Sequence, residues 1–92
     1  MNTGGTAPSV RFLSRAGCHL CDEALDELNR FLVAGISEGR LHPRTGIEVV
    51  DIETDDGLHR AYLERIPVVL VGDRIVSELE FDSEALESAL KD

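Results

Sequence analysis

The sequence predicts a single α/β domain built as a three-layer α/β/α sandwich around a four-stranded mixed sheet, in the order β-α-β-α-β-β-α. Three observations predict it. Short β-branched runs alternate with segments of helical apolar spacing, which is the pattern of strands joined by crossover helices. One of those runs, Val68-Val69-Leu70-Val71, is apolar throughout and so is expected to be buried on both faces. Gly72-Asp73 follows it directly and predicts a hairpin into an antiparallel fourth strand.

Ser9-Val10-Arg11-Phe12-Leu13-Ser14, bounded by Pro8 and Gly17, is expected as the first strand. Leu20, Ala24, Leu25, Leu28, Phe31 and Leu32 then fall at helical spacing, with Gly35 as the expected stop. Residues 35–46 contain three glycines and Pro43 and predict a loop. Ile47-Glu48-Val49-Val50-Asp51-Ile52 is expected as the second strand. Thr54-Asp55-Asp56 supplies an N-cap and first-turn acids for a helix with Leu58, Ala61 and Tyr62 on one face, which Pro67 should end. Arg74-Ile75-Val76 continues the hairpin. Phe81-Asp82 then predicts a capped start for a last helix whose inner stripe is Ala85, Leu86, Ala89 and Leu90. The first strand, its helix and the second strand should form a right-handed crossover with parallel strands.

With 92 residues, 42% of them hydrophobic and 29% charged, the chain is a globular domain rather than a disordered one. No stretch approaches the roughly 18 apolar residues of a membrane span. Residues 1–8 have neither a basic start nor an apolar core, so they read as a flexible leader and not a secretory signal. A cytoplasmic monomer is the expectation. Nine basic residues against 18 acidic ones give a net charge of −9, all of it in residues 47–92. Such a surface repels phosphate backbones and anionic membranes, which argues against nucleic-acid and membrane partners.

The chemistry should reside in Cys18-His19-Leu20-Cys21, which holds both cysteines of the chain. A pair two residues apart closes almost no loop, so it adds little stability as a staple. Placed between a strand and a helix, Cys18 would meet unpaired amides and the positive end of the helix dipole, which favour its thiolate. Cys21, one turn on, is placed to displace whatever Cys18 captures. His19 would support the thiolate if cationic, whereas Asp22 and Glu23 oppose it and fit a solvated helix face. Arg15 is either a thiolate-supporting or carboxylate-binding cation or an ordinary surface arginine. If Ile66-Pro67 were cis and near the cysteines, the Ile66 backbone would be free to pair with an extended substrate. Structural zinc needs four ligands, and His42 and His59 stand alone, so no metal site is expected.

The residues from Ser14 to Cys21, together with Ile66-Pro67 before the buried strand, resemble the glutaredoxin-like branch of the thioredoxin fold. The resemblance spans residues 9–92. It implies a cis Ile66-Pro67 bond facing Cys18, a glutathione-carboxylate contact at Arg15, and dithiol–disulfide exchange by Cys18 and Cys21 on a disulfide-bearing protein or small thiol substrate. Its departures are His19-Leu20 between the cysteines, Arg65-Ile66 before the proline, and Ser77-Glu78-Leu79-Glu80 where glutaredoxins hold the γ-glutamyl end. Glutathione is therefore only partly matched as a reductant, and no bound cofactor is expected. Asp82 is read as a helix cap rather than as the family's aspartate. Two other readings stand beside the enzyme: a protein-binding module of the same fold, and a thiolate metal carrier.

Overall fold

The computed structural model describes residues 9–91; residues 1–8, expected as a leader, lie outside the described residues. Strand β1 (Ser9–Ser14) leads into helix α1 (His19–Ser37), and strand β2 (Gly46–Asp51) follows. A 3₁₀ turn at Ile52–Thr54 connects to helix α2 (Asp56–Tyr62), and then come strands β3 (Val68–Val71) and β4 (Arg74–Glu78) and helix α3 (Ser83–Lys91). The sheet order is β2-β1-β3-β4, with β1 and β2 parallel and the β1–β3 and β3–β4 pairs antiparallel.

Side chains alternate across a strand, so Val10 and Phe12 face one side of β1 while Leu13 faces the other, and all three are buried. Val68, Val69 and Leu70 repeat this on β3. Both faces of the two central strands are therefore covered, as the three-layer reading requires. Cys21, Ala24, Leu28 and Leu32 bring one stripe of α1 into the same core, and Leu86 does so for α3. In β4 a register shift opposite Val69 and Leu70 leaves Val76 unpaired, a bulge that bends the strand end near Ser77 and Glu78.

Four expectations need correction. Gly35 does not stop α1; it is buried inside the helix, because the Leu41 side chain crosses it so closely that a Cβ would sit 2.5 Å from Leu41 Cδ1. The helix stops instead at Glu38-Gly39, where Gly39 takes φ +77° and donates to Ile36. The second strand starts one residue early, at Gly46, and ends at Asp51, since Ile52 is drawn into the buried 3₁₀ turn. Helix α2 ends at Tyr62, four residues before Ile66, and Ala61 is exposed rather than inward. Its expected cap is observed: the Asp55 carboxylate accepts the Leu58 N–H at 3.0 Å. Asp82 likewise accepts the Ala85 N–H at 3.0 Å and caps α3.

Candidate functional site at the carboxyl end of β1

The strand register gathers distant segments at one end of the sheet. Ser14 pairs with Asp51, Leu13 with Val68, and Val68 with Glu78. The turn after β1, the 3₁₀ turn after β2, Pro67 before β3 and Leu79 after β4 therefore lie together. An ion pair between Arg15 and Glu53 at 3.7 Å and another between Arg65 and Glu78 tie these segments laterally. The Ile66–Pro67 bond is cis, and the Leu79 N–H donates to the carbonyls of Pro67 (2.9 Å) and Arg65 (3.2 Å).

Within this frame the cysteine turn is built from local rules. Gly17 takes φ +78°, a conformation that L side chains rarely adopt, and the Cys18 N–H closes the turn on the Arg15 carbonyl at 3.3 Å. Cys18 is then left extended as the N-cap of α1, and its Sγ accepts the Cys21 N–H at 3.2 Å. A cap position normally filled by an oxygen is filled here by sulfur. Cys18 and Cys21 are disulfide-bonded, with their Cα atoms 5.2 Å apart. Cys18 is partly exposed, whereas Cys21 is 1% exposed and belongs to the core.

The other expected residues stand around the pair with altered partners. The His19 imidazole is 89% exposed and lies 3.6 Å from the Glu23 carboxylate, so it holds no desolvated charge over the sulfur. Arg15 is half exposed and turned to Glu53, a partner that its sequence neighbours do not reveal. Half of the Ile66 backbone is engaged within the chain: its N–H donates to the Tyr62 carbonyl at 3.1 Å, and its side chain is buried. Its donor is spent in closing the turn after α2.

Arg65 and Glu78 were not singled out as a pair by sequence reasoning. The Arg65 guanidinium stacks 4.8 Å from the Tyr62 ring centroid and donates to the Glu78 carboxylate. That hydrogen bond holds the Glu78 carboxyl below its ordinary pKa and raises that of Arg65. The position of Arg65 directly before Ile66-Pro67 was the available signal. Among the described residues, no group of three or more His, Cys, Asp and Glu side chains is gathered where it could hold a metal. His42 instead accepts the Arg44 N–H at 3.0 Å and orders its loop. No helix among the described residues is long and apolar enough to cross a membrane.

A disulfide-bonded cysteine pair capping a helix beside a cis proline, on a β2-β1-β3-β4 mixed sheet, defines a protein of the thioredoxin-like class. More narrowly, the sequence matches the glutaredoxin-like domain family (DUF836) over residues 9–91, and the chain belongs to that family. No curated protein matches it. Its structure is similar to the solution NMR structure of protein Ne2328 from Nitrosomonas europaea, at 26% identity and a TM-score of 0.70, covering 98% of this chain and 99% of that one. It is also similar to the X-ray structure of protein XcR50 from X. campestris, at 26% identity and a TM-score of 0.63, covering 89% and 95%. A malarial protein shares the fold at 14% identity and a TM-score of 0.60, over 94% of this chain and 96% of that one.

Proposed function

We propose that this chain is a dithiol thiol–disulfide oxidoreductase in which Cys18 is the nucleophile and Cys21 the resolving thiol. The observation that carries the assignment is the asymmetry of the pair: Cys18 is partly exposed and receives an amide N–H on its sulfur, while Cys21 is buried in the core beneath it. On reduction, the same amide and the N-terminal end of α1 favour the Cys18 thiolate.

The thiolate attacks one sulfur of a substrate disulfide. A Cys18–substrate disulfide forms, and the other substrate sulfur leaves as a thiolate that takes up a proton. Cys21 loses its proton and attacks Cys18 Sγ. The captured substrate sulfur departs, and the protein is left with its Cys18–Cys21 disulfide, two electrons having passed to the substrate. A thiol reductant, glutathione or a dithiol protein, returns those electrons. Such a cycle suits a reducing compartment such as the cytoplasm. Glu78, Glu80 and Asp82 line the groove beyond β4, so a glutathione molecule with two carboxylates meets repulsion there. That favours a protein disulfide as the substrate.

Turnover of a protein disulfide such as insulin, followed for wild type, Cys18→Ser and Cys21→Ser, tests the assignment. Cys18→Ser should abolish turnover, and Cys21→Ser should accumulate a mixed disulfide visible by intact mass. Wild-type activity in Cys18→Ser refutes it.

A further inference from the structure

Beside the cysteine turn lies a cleft of about 270 Å³ between the first turns of α1 and the segment after β4. Its apolar surface comes from Leu20, Leu79 and Phe81, and its rim carries Glu23, Glu27 and Glu80, with no basic residue among its lining. Leu20 and Leu79 are 57% and 50% exposed, although both are large apolar side chains in a domain with a formed core. Leu79 is unusual in a second way. It takes φ +68°, and among the described residues it is the only non-glycine with positive φ. Its N–H is pinned to the carbonyls of Pro67 and Arg65, so the backbone of the cis-proline loop holds it in that conformation. A leucine that breaks both the backbone preference and the burial preference, fixed beside the reactive pair, has the marks of a recognition element. Glu27 and Glu80 make no ion pair among the described residues, so the rim has uncompensated negative charge.

We infer that this cleft is the specificity subsite for the substrate, receiving a large apolar side chain flanked by lysine or arginine on the segment that carries the target cysteine. The inference rests on the oxidoreductase reading but is open to a separate test. Leu20 lies between the two cysteines and Leu79 is bonded to Pro67, so the cleft borders both the cysteine turn and the cis-proline loop, where a chain whose sulfur meets Cys18 would lie. The apolar floor supplies contact area, and the three rim carboxylates select for basic flanks through long-range attraction.

Oxidised full-length protein, titrated by ¹⁵N NMR with cysteine-free peptides, tests this without any chemistry. The peptide Lys-Leu-Ser-Leu-Lys should bind about tenfold more tightly than Glu-Leu-Ser-Leu-Glu at low salt, and the ratio should shrink at high salt. The amide shifts should centre on Leu20, Glu27 and residues 79–81. Lys-Gly-Ser-Gly-Lys should bind more weakly than the leucine peptide. Leu79→Asn, whose side chain tolerates the same backbone conformation, should remove that leucine preference. Equal affinities for the basic and acidic peptides, or shifts centred elsewhere, overturn the subsite. Reduction of the small uncharged hydroxyethyl disulfide is measured in parallel. Turnover without peptide preference sinks only the cleft, and peptide preference without turnover sinks only the redox assignment.

Discussion

Gly35→Ala is the substitution for which helix propensity and tertiary packing give opposite signs. In an exposed helix interior, replacing glycine by alanine stabilises by about 1 kcal/mol. At Gly35 the new methyl would lie 2.5 Å from Leu41 Cδ1 and 2.7 Å from Leu41 Cγ, well inside contact distance. Leu41 has little freedom to withdraw. It is 6% exposed, its N–H donates to the Gly35 carbonyl at 3.1 Å, and the Arg40 N–H donates to the same carbonyl at 2.8 Å. Overpacking of a core contact costs about 1–3 kcal/mol, so the net effect should be a loss of roughly 0–2 kcal/mol. With about 4–8 °C of Tm per kcal/mol for a domain of this size, the loss should reach several degrees. Leu41→Ala alone should cost about 2–5 kcal/mol by emptying the site. The double variant should cost less than the sum, because the alanine methyl then occupies vacated space and its helix propensity is recovered. Urea unfolding of the four proteins, all held oxidised, reads the coupling directly. A stabilised Gly35→Ala with additive effects at Leu41 would refute the close-approach argument.

Further outcomes follow from the same geometry. Asp82→Ala should lose about 1 kcal/mol in urea unfolding by uncapping α3, while Asp82→Asn should stay near wild type; equal losses for both would refute the capping role. Glu78 has a depressed pKa in the folded state, so its pairing with Arg65 contributes stability above the ordinary glutamate value and loses it as pH falls further. Stability measured from about pH 6 to 3 should therefore fall more steeply for wild type than for Glu78→Gln, and parallel curves would show that the pair contributes nothing. In the reduced protein, pH-dependent alkylation of Cys18 should report a pKa well below the ordinary thiol value of about 8.5, and an unshifted value would remove the amide-stabilised thiolate.

The residue pattern was enough for whatever depends on neighbours in the chain. The bounded β-branched and aromatic run at residues 9–14, the continuous apolar one at Val68–Val71 and the caps at Asp55 and Asp82 are short-range signals, and the observed elements follow them. The glycine-cysteine turn is also local, since Gly17 and the start of α1 suffice to place Cys18 against the Cys21 amide. Contacts across strands and turns were decided only by the fold. Gly35 reads as a helix stop until Leu41 returns over it, and only the fold shows that Tyr62 takes the Ile66 N–H. Arg15 and Arg65 look like unassigned cations until register brings Glu53 and Glu78 to them. Leu79, six residues past the Gly72-Asp73 hairpin turn, gives no local hint of a positive φ; the cis-proline loop imposes it. The physical reason is the range of the forces: propensity, capping and the helix dipole act within one turn of chain. Steric approach, charge pairing and exposure depend on which distant segments the sheet sets side by side.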